Sequence, residues 1–480
     1  MDKELFIREF SKAIHEGNAA IFAGAGTSVS AGFVNWKELV RPFSVEIKLD
    51  IEKETDLIGV TQYYINTKRN RAKVNQRIFN TFLSREAETD VMNLLTRLPI
   101  STYWTTNYDT VIEKGLENNH RKGDIKRKET NLTYSVPDRD AVVYKMHGDV
   151  MSPEEAVISK DDYARYSDDH SLFITALHGD LVSKTFLFVG FSFEDPNLDS
   201  ILGKLHVLLK EDTREHFCIQ KKVSKSDFYD PDEAEEVIND KFSYALIKQD
   251  LKIEDLRRYG IETVLVDEYS EIPELILRIE KEYLKNTIFI SGSISSYDTT
   301  WSEENVNQYC YKLSNFLVSK DYKIISGFGL GIGSSIINGA LDKIYESKYR
   351  HVNEHLGLFP FPQYENGEKT LAERWTENRK EMINSAGVCI FIFGNKVDTN
   401  GNIVDATGML EEFSIAKEAG KIIIPIASTG FTAKRIFEEM KISEQYSYLD
   451  QYWEILEKEN DWEKVFSSID KIIRGARLWR

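Results

Sequence analysis

The amino-acid sequence predicts an α/β protein made of two Rossmann-like domains, each with a parallel sheet covered by helices. Short apolar, β-branched runs alternate with helix-length segments along the whole chain, which is typical of parallel sheets. The 480 residues exceed the size at which one hydrophobic core usually keeps growing. The alternation also restarts after an amphipathic segment at 272–284. We therefore predict a first domain at 1–284 and a second at 285–480.

Each strand is predicted from a short apolar run, and each helix from a longer apolar periodicity. The predicted strands of the first domain are 19–23, 101–105, 141–146, 185–191, 216–220 and 261–267. Those of the second domain are 287–293, 323–329, 356–361, 388–396 and 421–427. No convincing strand pattern occurs between Trp36 and Leu98, so we expect a helical insertion there that acts as a gating lid. The charged segment 221–241 predicts a solvated loop with some helix.

Composition excludes several classes of protein. The formal net charge of −17 argues against nucleic acid as the principal partner, because the chain repels a phosphate backbone. The three cysteines, Cys218, Cys310 and Cys389, are too few and too far apart for a disulfide framework, which fits a reducing, cytoplasmic location. The N-terminus reads as an amphipathic helix and not as a secretion signal. No run of 18 apolar residues occurs, so we expect no membrane partner.

A glycine-rich turn follows the first predicted strand. The strand ends at Ala23 and is followed by Gly24, Ala25, Gly26, Thr27 and Ser28. Glycines allow backbone N–H groups to approach a pyrophosphate closely, and the two hydroxyls can donate further hydrogen bonds. Taken alone, the motif fits a tight strand-to-helix turn equally well.

Two later strands also end in polar motifs. One strand is followed by Thr-Asn-Tyr-Asp, which contains Asn107 and Asp109, and another by Met-His-Gly-Asp, which contains His147. The carboxyl ends of parallel strands converge on one crevice, so we expect Asn107 and His147 to project into a common cleft. The alternatives are a helix cap for Asp109 and a satisfied core position for His147.

The order of these motifs resembles the sirtuin family, in which Gly-Ala-Gly-x-Ser precedes Thr-x-Asn-x-Asp and then His-Gly. A fourth segment, Gly190-Phe191-Ser192, resembles the Gly-x-Ser that contacts the cofactor ribose there. The resemblance implies an enzyme that cleaves NAD⁺. It implies that Asn107 holds a water or the ribose hydroxyls, that Asp109 bonds the nicotinamide carboxamide and that His147 is a general base. The implied NAD⁺-binding residues are Ala23, Gly24, Ala25, Gly26, Thr27, Ser28, Asp109, Gly190 and Ser192.

The chain also departs from that family. Protein-deacetylating sirtuins carry a Cys₄ zinc ribbon, and three scattered cysteines cannot form one. The usual Pro-Asp-Phe-Arg is replaced by Val34-Asn35-Trp36-Lys37. Water then becomes the simplest acceptor, so we expect a metal-free NAD⁺ glycohydrolase that releases nicotinamide and ADP-ribose. The alternatives are an NAD⁺-dependent protein deacylase and a non-catalytic nucleotide-binding scaffold.

The second domain carries its own glycine-rich run between a strand and a helix. Such a density of glycine suits backbone amides that wrap a phosphate, although close packing of a helix on the sheet is the alternative. Arg379 offers a planar fork for a phosphate, Lys396 a point charge or a solvated surface group, and Glu412 an acceptor for ribose hydroxyls. The candidate signal-binding residues are Ser291, Gly292, Gly327, Gly329, Leu330, Gly331, Gly333, Arg379, Lys396 and Glu412.

Asn378-Arg379-Lys380-Glu381-Met382 and the segment around Gly408-Met409 resemble the Arg-Lys-x-x-Met and Gly-Gly-x-Gly-Thr-x-x-Glu signatures of lysine-decarboxylase-like Rossmann proteins, whose wider group includes nucleotide-sensing SLOG domains. The second signature lacks its Pro-Gly-Gly start, which favours binding over hydrolysis. The two halves in this order resemble the effectors of Thoeris antiphage defence. That resemblance implies a cyclic ADP-ribose signal made by a partner TIR-domain enzyme, NAD⁺ depletion in response to it, and a homotetramer or larger assembly.

Overall fold

The computed structural model describes residues 1–83, 88–209, 212–365 and 367–478. The chain divides into two compact units, Met1–Glu280 and Lys281–Arg480. The division falls within one helix, Ile272–Leu284. The domain boundary after residue 284 stays a prediction.

The first unit is built on a seven-stranded parallel sheet with the strand order β3-β4-β2-β1-β5-β6-β7. Every residue of β1 and β5 is buried, as expected for central strands covered on both faces. The strands are β1 Ala19–Ala23, β2 Thr102–Thr105, β3 Gly123–Lys126, β4 Ala141–Lys145, β5 Thr185–Val189, β6 His216–Lys221 and β7 Ile261–Val266.

Helices cover both faces of this sheet. The predicted helical insertion is confirmed, because 36–83 and 88–98 contain helices and no strand. In α4 the buried residues Val74, Ile78 and Phe82 are spaced by four and form one apolar stripe. The helices of the first unit are α1 Lys3–His15, α2 Trp36–Glu46, α3 Leu57–Lys68, α4 Ala72–Phe82, α5 Asp90–Arg97, α6 Val111–Asn118, α7 Lys160–Asp169, α8 Ser171–Ser183, α9 Pro196–Leu209, α10 Glu235–Arg258 and α11 Ile272–Leu284.

The six predicted strands of the first unit are confirmed, but the edge strand β3 was missed. Its inward-facing residues are Asp124 and Lys126, which are buried as an ion pair of 2.9 Å, so no apolar alternation marks it. The strand predicted at 185–191 ends at Val189 because Gly190 has a φ of +64° and turns the chain. The charged segment 221–241 contains a short 3₁₀ turn at Lys225–Phe228 and the start of α10.

The second unit has a five-stranded parallel sheet in the order β10-β9-β8-β11-β14 and a separate two-stranded antiparallel hairpin. Its strands are β8 Thr287–Ser293, β9 Lys323–Ser326, β10 Leu356–Leu358, β11 Val388–Phe393, β12 Asn395–Val397, β13 Ile403–Asp405 and β14 Ile422–Pro425. Its helices are α12 Glu303–Ser319, α13 Gly333–Tyr345, α14 Val352–His355, α15 Leu371–Asn384, α16 Thr407–Glu418, α17 Phe431–Lys441, α18 Trp453–Lys458 and α19 Trp462–Ala476.

The predicted architecture of two parallel-sheet α/β domains is confirmed. All six residues of β11 are buried in one apolar core. The strand predicted at 388–396 is interrupted at Gly394, where φ is +110°, and continues as β12 of the hairpin. The hairpin was missed because its three-residue strands include the polar or charged residues Asn395, Lys396 and Asp405 and so form no apolar run. Within the described ranges, no helix is both long and apolar enough to cross a membrane.

Candidate functional site

Four neighbouring strands of the first unit end level with one another. In the register of the sheet, Ala23 of β1 pairs with Thr105 of β2 and with Val189 of β5. Thr105 in turn pairs with Lys145 of β4. The segments that follow these strand ends carry the four motifs singled out in the sequence. The sheet therefore presents all four motifs at one edge, as parallel strands require.

The glycine turn lies against the segment that follows β5. Backbone N–H groups of Gly24 and Gly26 donate to the carbonyls of Val189 and Gly190, each at 2.9 Å. A Cβ on Gly190 would lie 2.4 Å from the Thr27 nitrogen, so this crossing requires glycine. Close packing of the two backbone segments therefore accounts for glycine at these positions, whatever ligand the turn binds.

The two hydroxyls of the turn are already used within the protein. Thr27 Oγ1 donates to the Gly24 carbonyl at 2.7 Å, and Ser28 Oγ donates to Asp109 Oδ2 at 2.8 Å. Both side chains are buried. Their donation to a bound pyrophosphate stays a prediction, and it would require these two hydrogen bonds to be exchanged.

Asn107 is joined to the glycine turn by its side chain. Its Nδ2 donates to the Gly24 carbonyl at 3.0 Å and to Ser28 Oγ at 3.2 Å. Its backbone nitrogen donates to Thr105 Oγ1 at 2.9 Å. These bonds fix the carboxamide and leave its Oδ1 with no hydrogen bond from any residue described here. Asn107 is thus a preorganised acceptor beside the turn.

Asp109 caps the first turn of α6, the alternative raised for it. Its Oδ1 accepts from the Val111 nitrogen at 3.0 Å, while its Oδ2 accepts from Ser28. Its role towards nicotinamide stays a prediction.

His147 is fully buried. Its ring packs edge-on against those of Tyr163 and Tyr166, with centroids 5.5 Å away in both cases. Its Nε2 lies 3.3 Å from Asn197 Nδ2 and 3.6 Å from Asp195 Oδ2, and its Nδ1 has no hydrogen-bond partner among the described residues. Burial lowers the pKa of His147, and the Asp195 carboxylate opposes that effect. The imidazole is therefore neutral near pH 7 and able to accept a proton.

Lys145 links the loop that carries Asn107 to the loop that carries His147, a contact that no sequence pattern indicates. The ammonium is fully buried and lies 2.5 Å from Asp149 Oδ2 and 3.2 Å from Glu113 Oε1. It also donates to the backbone carbonyls of Tyr108 and Asp109. Although burial opposes it, the surrounding carboxylates raise the pKa of Lys145. The lysine therefore holds the Asn107 loop against the His147 loop.

A cavity of about 940 Å³ opens beside the glycine turn, which is large enough for much of a dinucleotide. Of the predicted NAD⁺-binding residues it brings together Gly26, Thr27, Gly190 and Ser192, and it adds Lys248 and Lys252 of α10. The predicted residues that do not line it are Ala23, Gly24, Ala25, Ser28, Asn107, Asp109 and His147. The cavity thus lies on the β5 and β6 side of the turn. In the described part of the chain no three His, Cys, Asp or Glu residues cluster to hold a metal, and the metal-free site stays a prediction.

The second unit brings Ser291, Arg379 and Glu412 together. Ser291 Oγ donates to Glu412 Oε2 at 2.6 Å, and Arg379 Nε lies 3.4 Å from the other oxygen. Arg379 Nη1 also bonds Glu411 at 2.8 Å, and its guanidinium stacks 5.1 Å from the Phe361 ring. Burial raises the pKa of Glu412 to about 7, with the Ser291 and Arg379 contacts opposing it.

The other predicted signal-site residues lie in different surroundings. The Gly329 and Gly331 backbones pack on β8 and its continuation, because added Cβ atoms would lie 2.1 Å from the Gly292 carbonyl oxygen and 2.2 Å from that of Ile294. Close packing thus accounts for these two glycines. Leu330 is exposed. Lys396 donates to Thr407 Oγ1 at 2.9 Å and makes no bond to Arg379. Glu411 and Phe361 were missed as neighbours of Arg379.

The raised pKa of Glu412 predicts a pH-dependent stability. The folded carboxyl holds its proton up to about pH 7, whereas the unfolded one loses it near pH 4.5, so this group destabilises the fold increasingly as pH rises between those values. We expect Glu412→Gln to remove that cost of about 3 kcal/mol at pH 8. The melting-temperature gap between variant and wild type should then widen from pH 5 to pH 8. Glu418→Gln, on an exposed carboxylate of the same helix, is the control, and a constant gap contradicts the prediction.

Two family models match the chain. One, described as "SIR2-like domain", matches residues 101–246, a span that contains Asn107 and His147. The other, described as "Sir2- and TIR-associating SLOG family", matches residues 271–476, which contain the Ser291, Arg379 and Glu412 cluster. The two matches fall on the two units of the structure.

Three bacterial relatives named NAD(+) hydrolase ThsA match nearly the whole chain. The protein of Cytobacillus dafuensis is 42% identical over 486 residues, which cover 100% of this chain and 98% of the relative. That of Bacillus cereus strain MSX-D12 is 46% identical over 444 residues, covering 92% and 90%. That of Enterococcus faecium is 40% identical over 487 residues, covering 99% and 100%. The similarity therefore spans both units and is not confined to one domain.

Proposed function

The chain belongs to the ThsA family of NAD⁺ hydrolases, and we propose that its first unit hydrolyses NAD⁺ to nicotinamide and ADP-ribose. The observation that carries this proposal is the level alignment of four strand ends. It places the Asn107 carboxamide on the glycine turn and sets His147 on the next strand of the sheet.

The cavity supports a position for the adenosine half of NAD⁺. Its apolar lining includes Ile219, Val223 and Ala245, and Lys248 and Lys252 lie on the same wall. Apolar surface suits an adenine ring, and lysines attract a pyrophosphate. The nicotinamide half then extends past the glycine turn towards Asn107.

The reaction needs few groups from the protein. Breaking the N-glycosidic bond builds positive charge on the ribose C1′, and nicotinamide leaves with the bonding electron pair. A water oxygen forms the new bond to C1′, and its proton passes to His147 or first to a ribose hydroxyl. Asn107 orients that water or the ribose hydroxyls through Oδ1 without adding charge. ADP-ribose and nicotinamide are the products.

The site as it stands is closed around His147, so catalysis requires an opening. The helical insertion packs on the surrounding segments: Arg71 bonds Asp162 at 2.7 Å, and the Phe82 ring lies 5.7 Å from that of Tyr108. We assign the gating movement to this insertion. Uncontrolled loss of NAD⁺ is lethal, which gives a reason for a closed resting state.

The second unit regulates the NAD⁺ hydrolysis by binding a signal. Its signal is a cyclic ADP-ribose isomer made by a partner TIR-domain enzyme, and Arg379 binds a phosphate of that signal while Glu412 faces a ribose hydroxyl. The description of the matching family as Sir2- and TIR-associating supports this partner. The active form is a homotetramer or larger assembly in the cytoplasm.

The test is to follow nicotinamide release from NAD⁺ by the full-length protein with and without cyclic ADP-ribose isomers. We expect little release without a nucleotide and rapid release with one isomer. Unchanged NAD⁺ under every isomer contradicts the proposal. Release of acetyl-ADP-ribose from an acetylated peptide would indicate a deacylase instead, and NAD⁺ binding without turnover would indicate a scaffold.

A further inference from the structure

We propose that Asp195 is a positioning residue for His147: its carboxylate holds the imidazole in place and stabilises the positive charge that the ring gains when it takes a proton. This inference rests on the proposed function, because it assigns a role within the same reaction. Asp195 follows the Gly190-Phe191-Ser192 segment, and the sequence pattern assigned roles there to Gly190 and Ser192 only.

The two oxygens of Asp195 make different contacts. Oδ1 accepts from the backbone nitrogens of Asn197 and Leu198, both at 3.0 Å, and so caps the start of α9. Oδ2 accepts from the Tyr163 hydroxyl at 3.0 Å and lies 3.6 Å from His147 Nε2. One oxygen therefore anchors the carboxylate to a helix while the other faces the imidazole.

The distance to His147 suits a charge interaction that strengthens during the reaction. At 3.6 Å the contact is too long for a hydrogen bond to the neutral ring but short enough for an ion pair with an imidazolium. The side chain of Asp195 is only 9% exposed, so water screens this pair weakly. The Asp195 carboxylate therefore stabilises a positive charge that forms on the His147 ring.

The other groups packed around His147 do not provide a negative charge. Tyr163 and Tyr166 of α7 present their rings to it, and burial together with the Asp195 charge raises the pKa of Tyr163 far above neutrality. Asn197 is neutral, and His170 disfavours protonation of His147. Asp195 is therefore the counter-charge in this part of the described structure.

Nδ1 of His147 is the ring nitrogen that can accept the proton released in the reaction. Nδ1 is buried without a hydrogen-bond partner among the described residues, whereas Nε2 faces Asn197 and Asp195. In the proposed step the neutral ring carries its hydrogen on Nε2, an O–H bond of water or of a ribose hydroxyl breaks, and the released proton forms an N–H bond at Nδ1. Asp195 stays ionised throughout, and the imidazolium returns the proton to solvent after nicotinamide has left.

The variant Asp195→Asn separates this role from the helix cap. The asparagine Oδ1 retains the capping bonds, and the Tyr163 hydroxyl can still bond the amide, so the melting temperature should stay within about 2 °C of wild type. The carboxylate charge facing His147 is lost. Glu194→Gln is the matched control, because Glu194 is the neighbouring carboxylate and is exposed.

The experiment measures signal-activated NAD⁺ hydrolysis from pH 5 to pH 9. We expect Asp195→Asn to lower kcat by about 10- to 100-fold with KM for NAD⁺ nearly unchanged. Without the carboxylate the pKa of His147 falls, so the acidic limb of kcat/KM should move to lower pH by about one unit. Glu194→Gln should behave as wild type.

A second variant guards against a folding defect. Tyr163→Phe leaves the cap intact but releases Oδ2, and we expect a smaller loss of kcat, of about 3- to 10-fold. Wild-type kcat in Asp195→Asn, or a lowered kcat without a shift of the acidic limb, overturns the inference. If the wild-type protein releases no nicotinamide with any isomer, the proposed function is wrong. That result is distinct from an active wild type with an unaffected Asp195→Asn variant, which contradicts only the role of Asp195.

Discussion

Replacing Asn107 with alanine should abolish NAD⁺ hydrolysis, lowering kcat at least about 1,000-fold, and leave the protein folded. The carboxamide joins the strand-end motif of β2 to the glycine turn through Gly24 and Ser28. Its loss removes the group that orients water or ribose hydroxyls at C1′. The measurement is nicotinamide release with saturating signal, together with the melting temperature.

Asn118→Ala is the control for this prediction. Asn118 is exposed at the end of α6 and should retain wild-type activity. If the Asn107→Ala protein is folded and still hydrolyses NAD⁺ within about 10-fold of wild type, then Asn107 does not act on the substrate.

Replacing Arg379 with alanine should remove activation by the signal while the intrinsic chemistry of the first unit stays intact. The guanidinium is anchored by Glu411 and Glu412 and stacked on Phe361, so it is preorganised to bind a phosphate at two points. Losing such a bond costs about 2 to 5 kcal/mol. The signal concentration for half-maximal activation should therefore rise at least about 30-fold.

The neighbouring Lys380→Ala tests whether any loss of charge on α15 has this effect. Lys380 is exposed and should respond to the signal as wild type does. Direct binding of the cyclic nucleotide by calorimetry separates lost binding from lost coupling. A normal response in Arg379→Ala would show that the signal site lies elsewhere.

The sequence predicted those features that depend on local patterns. Short apolar runs predicted eleven strands, and the polar residues that follow these strands placed Asn107 and His147 at a shared sheet edge. The prediction worked because strand register in a parallel sheet is regular, so residues at successive strand ends have to lie near one another.

Features that depend on contacts between distant residues could not be predicted. Lys145 reads as one polar residue at the end of a strand, although it is fully buried among carboxylates and carbonyls. Asp195 reads as an ordinary residue before a helix, and only the structure shows that it faces His147. The hydroxyls of Thr27 and Ser28 were assigned to a ligand because their own partners, the Gly24 carbonyl and Asp109, depend on how the turn folds.

The same contrast holds in the second unit. The glycine-rich run was interpreted as a phosphate loop, whereas Gly329 and Gly331 are required first for close packing against β8 and its continuation. Arg379 and Glu412 were identified separately, and the structure adds Glu411 and Phe361 as the groups that hold the guanidinium.

In the proposed mechanism Asn107 and His147 act on a dinucleotide held by the Gly24 turn. A structure of the full-length protein bound to the signal and to a non-hydrolysable NAD⁺ analogue would show whether they do. We expect adenosine in the cavity beside Lys248 and Lys252, with the nicotinamide ribose within hydrogen-bond distance of Asn107 and His147. An analogue bound elsewhere, or with its ribose away from both side chains, would contradict this mechanism.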